Sequence, residues 1–182
     1  MIRFFCVLLL LILGAFLFQF YLPPVLLLHG ASILIVPSLY LYGAVALPFP
    51  LMLALTLYTG LMHDLLIVPQ AGPHIEFPAG LSAVVYLLPG LVMHGVRPLF
   101  LRYRWTWHLF LAELSAALTP ILPAAHYIIL SFARGEFFYS DAIIWRILGP
   151  GIMSLVIAPC LFFILTPLAQ LLHFRPGLRS VS

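Results

Sequence analysis

From Leu55 to Pro69 the chain reads Leu-Thr-Leu-Tyr-Thr-Gly-Leu-Met-His-Asp-Leu-Leu-Ile-Val-Pro, a run apolar enough for a bilayer that nevertheless sets His63 and Asp64 side by side. An ionised carboxylate at the bilayer centre costs about 2.5–3.5 kcal/mol on insertion scales, so a chain that keeps one there gives it a partner or turns it toward a polar cavity. At about 100° per residue, Thr56, Thr59, Gly60, His63 and Asp64 fall within one arc of a helix, with Leu57, Leu61 and Leu65 on the opposite arc. The pattern predicts a helix with an inward polar face and an outward apolar one.

The surrounding sequence fits the same environment. Of 182 residues, 64% are hydrophobic and 7% charged, and the mean hydropathy is +1.19. Soluble domains carry about 25% charged residues, which excludes a soluble fold. A transmembrane helix needs about 20 apolar residues, leaving room for roughly six spans and short links. The expectation is therefore an all-α, polytopic membrane bundle, one domain over 1–182, with spans near 4–21, 25–47, 51–68, 79–96, 105–132 and 143–172. Proline at mid-span frees a carbonyl that protein must satisfy, so Pro37, Pro89, Pro120, Pro123, Pro150 and Pro159 predict kinked or broken spans.

The N-terminal run Phe4–Phe18 follows Arg3 and precedes no small-x-small pattern, which predicts an uncleaved first span. No lipidation signal is present. Cys6 and Cys160, alone in apolar runs, are expected to be buried and inert. Tyr40 and Tyr42 are expected at an interface, as are Trp105 and Trp107 behind the basic link Arg97, Arg102 and Arg104. All the basic residues are Arg, and a net charge of +3 is too small and too scattered for nucleic acid. With six spans and the N-terminus inside, the cytoplasmic face collects Arg3, Arg97, Arg102, Arg104, Arg175 and Arg179. The outer face keeps Arg134 and Arg146 beside Glu76, Glu136 and Asp141. Both termini are thus expected in the cytoplasm.

Asp64 is expected to pair with Arg146, which lies at similar depth in the last span, and a packing ion pair is favoured over a role at a cavity or partner. Glu113 lies near the opposite end and is expected to meet His94 or Arg97. With Ala116 and Ala117 it forms a helix-packing face, as do Gly151, Ser154 and Ala158. The seven histidines show no His-x-x-x-His or His-Glu-x-x-His spacing, which argues against a metal site. No Gly-x-Ser-x-Gly elbow and no phosphate-cradling glycine loop appears, so no catalytic or cofactor-binding residue is expected and the chain reads as a non-enzyme.

Pro37-Ser-Leu-Tyr-Leu-Tyr42, the Pro48-Phe-Pro50 turn, Gly60-Leu-Met-His-Asp-Leu-Leu66, the glycines Gly72 and Gly80 and the Arg97–Arg104 link together resemble the bacterial rod shape-determining MreD family, over most of the first four spans. Gly60 and Asp64 are the positions carried over; His63 beside that Asp and the Pro-rich link after it depart from the family pattern. The resemblance implies a non-enzymatic inner-membrane component of the cell-elongation and peptidoglycan-synthesis machinery. It would contact an MreC-like single-span periplasmic protein and, through it, an MreB-like actin and the wall-synthesis enzymes. On that reading the face of Thr56, Gly60, His63 and Asp64 and the outer loops dock the partner, and the basic link sits against anionic lipid or a cytoplasmic filament complex. The alternative is a small-solute-binding subunit of a vitamin-type uptake transporter, similar in span layout; the Ala-x-x-x-Ala pattern associated with the first span of such subunits is missing from Phe4–Tyr21.

Overall fold

The computed structural model describes residues 1–26, 29–67, 70–71, 74–75, 79–100, 105–135, 137 and 140–172. Gly72, Glu76, Arg102, Arg104, Glu136, Arg175 and Arg179 lie outside these residues. The elements run α1 (Ile2–Gln19), α2 (Val36–Ala46), α3 (Phe49–Leu66), the two-residue strands β1 (Gln70–Ala71) and β2 (His74–Ile75), α4 (Leu81–Gly95), α5 (Arg97–Phe100), α6 (Trp105–Leu118), α7 (Ile121–Arg134) and α8 (Asp141–Leu171). The two strands pair antiparallel, Gln70 with Ile75 and Ala71 with His74.

Among the described residues, four segments are long and apolar enough to cross a membrane: Ile2–Gln19, Phe49–Leu66, His108–Arg134 and Asp141–Leu171. The helices Val36–Ala46 and Leu81–Gly95 are apolar but shorter. At 1.5 Å per residue, the 11 residues of α2 reach about 16 Å, against a hydrocarbon core of about 30 Å. The second span is expected from Val25, but the helix begins only at Val36. The chain before it turns back on itself through a Val25–Ala31 bridge, with His29 and Gly30 at positive φ, a conformation that no helix continues through. Pro37 sits in the first turn of α2, where a missing N–H costs nothing. The expected fifth span is divided at Thr119-Pro120 into α6 and α7, whereas α8 runs unbroken through Pro150, Pro159 and Pro167.

Both short helices have their N-terminal N–H groups satisfied from a neighbouring helix rather than by a local cap. Gln19 Oε1, at the end of α1, accepts from Ile35 N at 2.6 Å and Val36 N at 2.8 Å. Asp64 Oδ2, in the last turn of α3, accepts from Gly80 N at 2.7 Å and Ser82 N at 3.2 Å. The first N–H groups of a helix have no partner within it, so these side chains fasten α1 to α2 and α3 to α4.

α2 is buried along its whole length, at the centre of a core built with Phe4, Leu8, Phe16, Met52, Leu55 and Phe162. Tyr40 and Tyr42 belong to that core, not to an interface. The Tyr40 hydroxyl donates to the Tyr86 carbonyl at 2.8 Å and lies 2.9 Å from Thr56 Oγ1, which has the Met52 carbonyl as its own acceptor. It comes in beside Pro89-Gly90, where a Cβ on Gly90 would overlap the phenol oxygen. Leu57, Leu61 and Leu65 point outward while Thr56 and Thr59 are buried. Cys6 and Cys160 are exposed rather than buried. On a bundle whose outward faces are apolar, a cysteine in an apolar run sits as readily outside as inside.

Candidate functional site

The polar side chains collect where the end of α3, the start of α4 and the middle of α7 meet. α3 brings His63 and Asp64 into one turn. α4 brings Ser82, and α7 brings His126, a residue that no spacing rule joins to the others. Close approach of α3 and α4 is set by Gly60, where a Cβ would overlap the backbone of Ala83. The missing side chain lets the two helices touch and places Ser82 over His63.

Ser82 Oγ lies 3.1 Å from His63 Nδ1 and 2.7 Å from His126 Nε2. His126 Nδ1 lies 2.8 Å from the Leu122 carbonyl. That carbonyl only accepts, so Nδ1 of His126 carries a proton and, in the neutral ring, Nε2 accepts from the Ser82 hydroxyl. Ser82 Oγ then accepts from His63 Nδ1–H. One acceptor at the end of the chain thereby orders three groups. The two imidazoles lie 4.7 Å apart, tilted by 33°, and His63 is walled by the rings of Phe16 and Tyr86. Asp64 turns Oδ2 to α4 and leaves Oδ1 at 4.0 Å from His63 Nδ1, with the His63 and Asp64 side chains 20% and 7% exposed.

Among the described residues, His63 and, slightly farther off, His126 are the chargeable neighbours of Asp64, and no ion pair joins Asp64 to Arg146, whose side chain is exposed on α8. The carboxylate finds its compensation in two backbone N–H groups at a helix N-terminus, where the peptide dipoles favour negative charge. Glu113 is half-buried and makes no ion pair with His94 or Arg97 among the described residues; His94 Nδ1 instead meets the Ala44 carbonyl at 3.1 Å. Ala116, Gly151, Ser154 and Ala158 are buried between α6 and α8, with Gly151 against the ring of Pro120, while Ala117 is exposed. Arg97 is half-buried in α5.

Thr56, Thr59 and Gly60 are all buried within the chain, so the face expected to dock a partner helix is covered by α4. His63 Nδ1, Asp64 Oδ1 and His126 Nε2 are metal-binding atom types, and the ligand atoms of these three residues lie within 4.8 Å of one another. Spacing rules look for ligands on one helix; here they come from two, 62 residues apart. A serine hydroxyl donating to an imidazole is also half of a nucleophilic pair. Ser82 is buried, however, and the N–H groups of Gly80 and Ser82 are held by Asp64 rather than open to an oxyanion.

Compared with known proteins, the chain matches no protein-family model, no curated protein and no solved structure.

Proposed function

We propose that this chain is a non-enzymatic scaffold of the bacterial inner membrane, MreD-like, that holds an MreC-like periplasmic partner within the cell-elongation machinery. The observation that carries the reading is the use made of Gly60 and Asp64. The two positions that the family resemblance singles out lock α3 to α4, one by close approach and one by holding the α4 N-terminus. A motif spent on rigidity suits a scaffold, whereas a solute carrier needs polar groups converging on a cavity. One cavity, of about 550 Å³ between α6 and α8, has His108 in its wall but is otherwise lined mainly by apolar groups, exposed Leu109, Phe163 and Ile164 among them. Its Thr166 hydroxyl is spent on the Phe162 carbonyl of the same helix.

In this reading α2 and α4, with the links that precede them, complete six crossings, and both termini and the Arg97–Arg104 link face the cytoplasm. With the polar face of α3 used internally, the partner is met through the outer links and the outward apolar faces. Depletion in the bacterium that makes the protein is expected to turn rods into spheres, and mild detergent extraction to recover a single-span periplasmic protein with it. Rod growth that persists through depletion, with no such protein recovered, contradicts the proposal.

A further inference from the structure

His63, Asp64 and His126 bring together the donor set of a divalent transition-metal site, and two of the three are already oriented by their far atoms. His126 turns Nε2 inward because Nδ1–H is tied to the Leu122 carbonyl at 2.8 Å. Asp64 turns Oδ1 toward His63 because Oδ2 is held by Gly80 N and Ser82 N. Outer partners of this kind, a carbonyl behind an imidazole and N–H groups behind a carboxylate, set the tautomer and direction of metal ligands. We propose that these three side chains bind one Zn²⁺-class ion, clamping α3 to α7 across the start of α4.

The geometry lies within reach of coordination. Ligand atoms in a tetrahedral site with bonds of about 2.1 Å are about 3.4 Å apart, and those here lie within 4.8 Å. The hydroxyl of Ser82 occupies the space between the rings, 3.1 and 2.7 Å from their nitrogens. Rotation of the side chains inward by about 1 Å closes the set, with the Ser82 hydroxyl or a water completing it. On binding, the His63 proton leaves Nδ1 for Nε2, while His126 keeps its proton on Nδ1. The two imidazoles are borderline ligands that outnumber the one hard carboxylate, which favours Zn²⁺ or Co²⁺ over Mg²⁺ or Ca²⁺. The ion's charge also meets the carboxylate where a bilayer makes an unpaired anion costly. This inference stands apart from the scaffold reading.

The test is titration of tag-free, detergent-solubilised wild-type protein with Co²⁺, followed by Zn²⁺. The expected result is one equivalent of Co²⁺ per chain with visible d–d bands of low coordination number, bleached by Zn²⁺, and a raised unfolding temperature with either ion. Asp64→Asn, which still accepts from the α4 N-terminus, and His126→Ala each weaken binding by on the order of tenfold or more, the range already lost when outer partners are removed. His126→Cys restores binding and adds a near-ultraviolet thiolate-to-Co²⁺ band, which only direct ligation produces. Wild-type protein that takes up no stoichiometric Co²⁺ overturns the proposal whatever the variants do. So does binding unchanged in Asp64→Asn and His126→Ala, or binding by His126→Cys without the thiolate band.

Discussion

Asp64 is the residue whose surroundings say most about the chain. A carboxylate in an apolar helix has to be compensated, and the sequence therefore pointed inward correctly for Thr56, Thr59 and Asp64. It could not say that the compensation comes from peptide N–H groups. Those of Gly80 and Ser82 are invisible in a side-chain inventory, which offers Arg146 as the nearest cation at that depth. His126 was hidden for a related reason: an isolated histidine 62 positions away carries no spacing signal, and only the packing of α7 against α4 brings it to His63. Hydrogen bonds to charged groups contribute about 1.5–3 kcal/mol each. With two such bonds, Asp64→Ala is expected to lower stability by at least about 3 kcal/mol, and Asp64→Asn by about 1 kcal/mol because an amide oxygen still accepts. Denaturant unfolding in mixed micelles measures both; equal losses in the two variants would show that the charge and its N–H partners are not what holds α4.

At the scale of elements, α3 was the most legible because its polarity alternates at helical period, with Leu57, Leu61 and Leu65 outward. The stretch 25–35 was the least. Apolarity alone does not distinguish a helix from an apolar turn, and His29-Gly30 at positive φ is a backbone fact with no hydropathy signature. Proline proved an ambiguous marker as well: Thr119-Pro120 separates α6 from α7, yet α8 absorbs Pro150, Pro159 and Pro167 without ending. What fixes the element pairs is close approach. A Cβ on Gly60 meets the Ala83 backbone, which cannot swing aside as a side-chain tip does, whereas one on Gly14 in α1 meets nothing within 4 Å. Overpacking costs about 1–3 kcal/mol, so Gly60→Ala is expected to lose that much. Gly14→Ala is expected to stay within about 0.5 kcal/mol of wild type. Comparable losses at both positions in the same unfolding assay would mean that α3 and α4 do not touch at Gly60.

At the scale of the whole molecule, the usual soluble pattern is inverted in part: beside the apolar core, large apolar side chains such as Leu10, Leu57, Leu155, Val156 and Phe163 are exposed, while Thr56, Thr59, Ser82 and Ser115 are buried. That inversion was legible in composition alone, and it also explains why Cys6 and Cys160 were misplaced: in such a chain hydrophobicity does not predict burial. The count of crossings was less legible, because α2 and α4 have the composition of spans without the length. The central claim is that α3 presents leucines to lipid and its polar face to α4. Nitroxide labels on single cysteines, placed in turn at Leu57, Leu61, Leu65 and Thr59 of protein reconstituted in bilayers, test it through their collision rates with oxygen and with a water-soluble nickel chelate. The account predicts mobile, oxygen-accessible labels at the three leucine positions and an immobilised label shielded from both reagents at Thr59. A Thr59 label open to oxygen or to the chelate, with the leucine positions shielded, would contradict it.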